Sequence, residues 1–269
     1  MPRARVASPI NPLANLACAR RSTAAPACTT MTILHVTDFH FNKPWFDWLL
    51  HRAPPHDLLV MSGDMLDLSS ATPHRKQIAW VSDWMNAYAG PMCVCSGNHD
   101  LEWDEESERW TPAYWLRDLK NANVWTDGQR ISLDGLSILN IGCTTRPKGG
   151  DADVWVVHAP PTKTLVSTRA TGGEGGDPDL VGPVRRRAPR VVLGGHVHDP
   201  VHWCHHGEKT LFLNPGRADG EPVPNHILLS TDHMTCQFRT ARRDVIPARS
   251  PLSLQSAVPP NPHPITAVA

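Results

Sequence analysis

Metal-ligating residues recur where short apolar runs end. Asp38 and His40 follow "ILHVT" in D-F-H. Asp64 and Asp67 follow "LLVMS" in G-D-M-L-D. Asn98, His99 and Asp100 follow "MCVCS" in G-N-H-D. His158 follows "VWVV" in H-A-P-P, and His196 and His198 follow "VVL" in G-G-H-V-H. Residues two apart point to the same side of an extended backbone. Each such pair can therefore face one centre. Mixed carboxylate, amide and imidazole donors suit borderline or hard divalent ions such as Mn, Fe, Zn or Co. Taken singly, each stretch is also an ordinary solvated strand end or turn. Their ordered recurrence at five strand ends is what points to metal chemistry.

The apolar runs are nearly continuous, the pattern of strands buried on both faces of a sheet covered by helices. Helix signals lie between them. Thr72-Pro73 offers an N-cap and N1 proline ahead of Ile78, Val81, Met85 and Tyr88 at helical spacing, and Gly90-Pro91 ends that element. Thr111-Pro112 and Asp177-Pro178 repeat the start signal, the latter for a helix reaching about Ala188 and weakened by Gly182-Pro183. Asp134-Gly135 separates "RISL" from "LSILNIG" as a two-residue hairpin turn. "HHGEK" and "STDH" join two later hairpins. The expected architecture is an α/β sandwich, with two mixed sheets face to face and helices outside. In open α/β sheets, ligands bind beyond the carboxyl ends of strands, which is where the polar residues stand.

The chain has 269 residues, enough for a large buried core, and Lys+Arg and Asp+Glu are equal at 26 each. This balance gives no electrostatic argument for nucleic acid or an acidic membrane. No run of 18 apolar residues occurs. Seven cysteines without a C-x-x-C pair argue against a disulfide framework and for a reducing cytoplasm. Residues 1–30 carry arginines and no acid and read as a disordered extension, with a mis-assigned start or a targeting peptide as alternatives. Residues 241–269 read as a Pro-rich disordered tail, leaving 31–240 as the folded domain.

The set D-x-H, G-D-x-x-D, G-N-H-D, a lone His and G-H-x-H resembles the calcineurin-like metallophosphoesterases, over roughly residues 32–240. No position of the pattern is missing. The resemblance implies two divalent ions (Mn, Fe, Zn, Co or Mg). One would be held by Asp38, His40, Asp64 and His198, the other by Asp64, Asn98, His158 and His196, with Asp64 bridging. His99 would stand by the phosphate as a catalytic non-ligand, oriented by Asp67. Asn98 would also touch substrate. Two ions bring four positive charges against two negative ones from Asp38 and Asp64, so the site would stay positive. A hydroxide activated by both metals would attack the ester, since bound water there has a pKa of about 7. His99 would assist the leaving oxygen, a contribution on the order of 10²–10⁴-fold.

The implied activity is hydrolysis of a small phosphate mono- or diester, with cyclic-nucleotide or other small phosphodiesterase activity as a narrower alternative. "GDMLDLSS" lacks the Arg-Gly that follows this acid in the Ser/Thr protein phosphatases, which disfavours that subgroup. A nuclease is disfavoured by the absence of a basic track. A non-catalytic scaffold would be expected to lose ligands that this chain keeps.

Other residues carry two readings. Arg146, in "TTRPKGG", either grips a phosphate bidentately or sits in a surface loop. Trp45 and Trp103 either flank the site or pack ordinarily. "TGGEGGD" is either a flap or a plain loop. "VHWCHHGE" invites a zinc reading but lacks a second ligand cluster, and is expected to be a turn. Asp100 is assigned no ligand role.

Overall fold

The computed structural model describes residues 30–147, 151–232 and 234–241, and the backbone of 246–248. The expectations for residues 1–29 and 249–269 lie outside this range.

Elements alternate at first: β1 (Thr32–Val36), α1 (Lys43–His51), β2 (Leu58–Ser62), α2 (His74–Ala87) and β3 (Met92–Cys95). A small hairpin follows, β4 (Glu102–Asp104) and β5 (Arg109–Thr111), then β6 (Val124–Trp125). The second half holds β7 (Arg130–Leu133), β8 (Leu136–Ile141), β9 (Val154–Val157), α3 (Pro178–Arg187) and β10 (Val191–Leu193). It closes with β11 (Cys204–His206), β12 (Leu211–Leu213), β13 (His226–Ser230), β14 (Thr235–Arg239) and β15 (Ile246–Ala248).

Two mixed sheets result. One has the order β15-β14-β13-β1-β2-β3-β6, and the other β11-β12-β10-β9-β8-β7. In each sheet the strands that lead into the ligand loops are parallel: β1, β2 and β3 in the first, β9 and β10 in the second. All their carboxyl ends therefore emerge along one edge of the sandwich.

The apolar runs are continuous because both faces of each sheet are covered. Ile33, Val60 and Cys95 face Val154, Val156 and Leu193 between the sheets. Leu34, Val36 and Met61 face the opposite way, against Trp45, Phe46 and Met85 of α1 and α2. Trp155, Val157 and Val192 turn outward onto Leu180 and Val184 of α3. Burying such side chains contributes roughly 1.5–3 kcal/mol each. The expected sandwich with outer helices is the observed one.

Several local signals perform as expected. Asp134 and Gly135 both have positive φ, 48° and 80°, the geometry of a type I′ hairpin turn between β7 and β8. The Asp177 side chain caps α3 by accepting from the Asp179 amide. The Thr72-Pro73 signal starts its helix one residue late, at His74 after Pro73. The Thr111-Pro112 signal yields only a 3₁₀ turn, Tyr114–Asp118.

One boundary needs correcting. Ile246–Ala248 pairs antiparallel with β14, so the sheet continues past residue 240 into the segment expected to be a disordered tail. Pro247 is tolerated there because an edge strand leaves one backbone side unpaired.

Candidate metal centre

The carboxyl ends of β1 and β2 are laced together by their main chains. Asp38 N–H donates to the Gly63 carbonyl (3.1 Å), His40 N–H to Asp64 (2.9 Å) and Phe41 N–H to Met65 (2.8 Å). The bends are tight. Asp38, His40, Phe41 and Asp64 all have φ between 42° and 55°, a sparsely populated region for non-glycine residues. A Cβ on Gly97 would collide with Asp64 Oδ1, so only glycine allows the β3 loop to approach that carboxylate. On the second sheet, a Cβ on Gly195 would collide with Thr37 Oγ1 and lie 2.8 Å from Asp38 Oδ2. That close approach brings the two sheets' loops into contact.

The expected ligand residues converge. His40 Nε2 lies 3.1 Å from His198 Nε2, 3.7 Å from Asp64 Oδ2 and 3.9 Å from Asp38 Oδ1. His198 Nε2 is 3.5 Å from Asp38 Oδ1. Opposite them, His158 Nε2 lies 3.3 Å from Asp64 Oδ2, 3.1 Å from Asn98 Oδ1 and 3.2 Å from His196 Nδ1. Asp64 thus faces both clusters through Oδ2, while Oδ1 accepts from the His99 amide at 2.8 Å.

Among the described residues, three sets of donors come close enough to hold a cation. They are Asp38/His40/His198, Asp64/His158/His196, and His40/Asp64/His99. Adjacent imidazole nitrogens near 3 Å in buried surroundings fit a metal centre, because a cation satisfies several lone pairs at once. The histidines of "VHWCHHGE" form no such set among the described residues. His202 Nδ1 pairs with the Cys204 carbonyl, and Cys204 Sγ lies 4.0 Å from His206 Nε2.

The electrostatics follow from burial and from the two carboxylates. Burial drives His40 down to about 4, against the opposing pull of Asp64 and Asp38. His196 also falls to about 4, through burial and the neighbouring His158 charge. For His158, burial is outweighed by Asp64, which raises it to about 10. Burial pushes Asp38 and Asp64 up, but their histidine partners outweigh it and hold both carboxyls low. His158 Nδ1 meets the Ser62 carbonyl at 2.9 Å, which turns Nε2 toward Asp64. A cation there would take the place of the Nε2 proton.

Two expected roles change. Asp67 does not orient His99: its Oδ1 accepts from the amide and hydroxyl of Ser69. The Leu68 amide instead donates to His99 Nδ1 at 3.2 Å. The His99 ring stands edge-on to His40 with centroids 4.4 Å apart. Arg146 is held by Asp177 (3.7 Å) and Asp179 (2.5 Å) near the start of α3, so its guanidinium is already engaged by carboxylates. Of the two tryptophans with open readings, Trp45 is core and donates Nε1 to the Glu221 carbonyl, whereas Trp103 is 49% exposed. "TGGEGGD" is folded back on itself, with Glu174 accepting from the Lys163, Gly175 and Gly176 amides.

Residues without an assigned ligand role position the centre. The buried Asp100 carboxylate accepts from the amides of Asp64 (2.8 Å), Leu66 (3.0 Å) and Gly97 (2.8 Å). Burial and Asp64 nevertheless push Asp100 up to about 7. Asn214, in "NPG", donates Nδ2 to the carbonyls of Val166, Gly195 and Val197, clamping the loop of His196 and His198.

No helix among the described residues is long and apolar enough to cross a membrane. None of the curated proteins matches the chain. Among solved structures, TT1561 of Thermus thermophilus is similar in fold, with a TM-score of 0.55 and 12% identity over 80% of this chain and all of that one (100%). Yfce, a phosphoesterase from E. coli, is 14% identical over 80% of this chain and 97% of its own, with a TM-score of 0.39. A metallophosphoesterase from Sphaerobacter thermophilus is 18% identical over 78% and 88%, with a TM-score of 0.40. The sequence profile described as calcineurin-like phosphoesterase matches residues 31–200, a span holding every strand end that contributes to the centre. By that match, the chain belongs to the calcineurin-like phosphoesterase family.

Proposed function

We propose that the protein hydrolyses small phosphate mono- or diesters with two divalent cations. Asp38, His40, Asp64 and His198 would hold one, and Asp64, Asn98, His158 and His196 the other. The observation that carries this reading is Asp64, whose Oδ2 faces His40 Nε2 at 3.7 Å and His158 Nε2 at 3.3 Å. Cations there supply positive charge for phosphate oxygens and make a water acidic enough to attack at neutral pH.

The chain's own residues do the rest. Asp38 and Asp64 are the carboxylates of the ligand set, and the other ligands are neutral when bound, so the centre keeps a net positive charge for an anionic ester. The Leu68 amide occupies His99 Nδ1, which places the proton of the neutral ring on Nε2. Nε2–H is then the group that donates to the leaving oxygen. His74 Nε2 meets the His99 carbonyl at 3.0 Å and steadies that residue from behind. The equal charge totals support a small substrate over a nucleic acid. Cyclic nucleotides fall within this class. Five described cysteines are free thiols, which supports a reducing compartment such as the cytoplasm. Mn, Fe, Zn, Co and Mg all remain chemically suited to parts of the donor set.

The test is metal analysis of purified, Mn-loaded protein, with rates on a model aryl monoester and the matching diester. Two metals per chain with hydrolysis of either ester is the expected result, and Asp64→Asn should abolish it. A protein that bound no metal and cleaved neither ester would instead be a scaffold on this fold.

A further inference from the structure

The β4–β5 hairpin that follows His99 carries two tryptophans with no part in the chemistry so far. Trp103 and Trp110 stand directly opposite each other across the strand pair, so their rings share one face. The rings meet edge-on with centroids 5.4 Å apart. The neighbouring residues point the other way and anchor the hairpin. Glu102 accepts from the Trp115 amide at 3.0 Å, and the Trp115 indole donates to the Asp100 carbonyl at 2.9 Å. Asp104 closes the tip by accepting from the Glu106 and Ser107 amides. The hairpin is therefore fixed to the residue that pins the ligand loops, yet Trp103 and Trp110 stay 49% and 46% exposed.

The tryptophan face is continuous with the metal centre. Trp110 stands edge-on to His74 with centroids 6.3 Å apart, and His74 Nε2 meets the His99 carbonyl at 3.0 Å. Leu68, itself exposed, gives its amide to His99 Nδ1. Leu68, His99, His74, Trp110 and Trp103 thus form a chain of contacts that leads away from the cation ligands. A cross-strand tryptophan pair also steadies a short hairpin, but the edge-on contact does that and leaves nearly half of each side chain open to water. The rim is acidic: Glu105, Glu106 and Glu108 are all exposed, against Arg109. Such a rim repels anions and leaves the rings to a planar group without negative charge.

We propose that Trp103 and Trp110 form a platform that stacks on a planar, uncharged aromatic leaving group of the ester, such as a nucleoside, and so select the substrate. This rests on the phosphoesterase reading above. With the phosphoryl group at the cations and His99 Nε2–H at the leaving oxygen, the leaving group extends past His99, beside the hairpin that begins at Glu102. Indole rings present large rigid faces at low entropic cost and pack on other aromatic rings in offset or edge-on geometry. Stacking stays the same while the phosphorus–oxygen bond breaks, so the platform acts on binding rather than on the chemical step. The acidic rim disfavours leaving groups that carry further phosphates.

The experiment compares adenosine 5′-monophosphate with ribose 5-phosphate, which share the scissile bond and the leaving oxygen and differ in the base. Their methyl diesters form a second pair. Wild type, Trp103→Val, Trp110→Val and the double variant are all Mn-loaded, and metal content, kcat and KM are measured. Valine keeps a strand-forming side chain without a ring. Wild type should prefer the nucleoside ester. Each substitution should lower kcat/KM on it roughly fivefold to a hundredfold, chiefly through KM, and on the ribose ester by no more than about twofold, with metal content unchanged. Trp103→Phe and Trp110→Phe should recover part of the preference. Equal losses on both esters, a loss in kcat at constant KM, or no preference in wild type overturns the proposal. A nucleoside ester bearing a second phosphate should react more slowly, and an equal or faster rate removes the charge selection. If wild type sediments as a dimer that the double variant dissociates, with the preference intact, the face joins copies of the chain and the platform is refuted. If wild type cleaves none of these esters, the hydrolase reading fails. Calorimetric binding of adenosine 5′-monophosphate over ribose 5-phosphate that is lost in the double variant then still supports the platform, and equal or absent binding sinks it too.

Discussion

The two sheets present their ligand loops in opposite ways. Loops of the first sheet are gathered by an acceptor: the buried Asp100 carboxylate takes the amides of Asp64, Leu66 and Gly97. The loop of His196 and His198 is gathered by a donor: the Asn214 amide gives to the carbonyls of Val166, Gly195 and Val197. The loops differ because their backbones turn different groups inward. The turns after β2 and β3 leave N–H groups pointing at one spot, and the loop after β10 leaves carbonyls doing so. Each pin must match its polarity, since a buried mismatch leaves several unsatisfied groups at once.

Reversing the donor pin should have the larger effect on stability. Asn214→Asp would set a carboxylate against three carbonyls and should cost about 3–5 kcal/mol, read as a fall in denaturant midpoint. Asp100→Asn should cost less, about 2–4 kcal/mol, because burial and Asp64 already push Asp100 up to about 7 and reduce its commitment to the charged form. Equal costs would mean that the polarity argument is wrong. At the ligands themselves, His99→Ala should lower turnover by about 10²–10⁴-fold while leaving both metals bound. Loss of metal there would make His99 a ligand through its contact with His40 and Asp64.

A pH titration tests the shared face of Asp64 and His158. The folded pKa of His158 is raised to about 10 from an ordinary 6.5. The stabilisation is then fully present below about 6.5 and lost as pH rises through about 10. Melting temperatures of metal-stripped protein should fall across that window, and the slope should shrink when metal is bound, because a ligated His158 is neutral. The smallest effect expected is Asp67→Asn. Its carboxylate bonds Ser69, so turnover should stay within about threefold of wild type.

Much of this was legible from residue type and spacing. The five apolar runs are strands, and the residues expected as ligands stand together at their ends. Their order is local information: each motif lies on one short loop whose glycine and neighbours dictate a tight turn. The misreadings concern residues whose partners are set by the folded loops. Arg146 was open between a phosphate grip and a surface loop, and Asp177 and Asp179, more than thirty residues away, engage it. Asp67 was a reasonable partner for His99 until the Leu68 amide occupied Nδ1. β15 was hidden because Pro247 breaks strand propensity, and only the exposed edge of β14 makes it a strand.

The amino-acid sequence by itself determined which strands would be buried on both faces, which residues would stand at their ends, and the family to which the chain belongs. Those are properties of short periodic runs and close-spaced motifs. Tertiary structure alone decided which amide orients His99 and which residues pin the ligand loops. These outcomes depend on loops from two sheets approaching within hydrogen-bonding distance. That approach is set by packing between residues as far apart as His40 and His198, 158 positions along the chain.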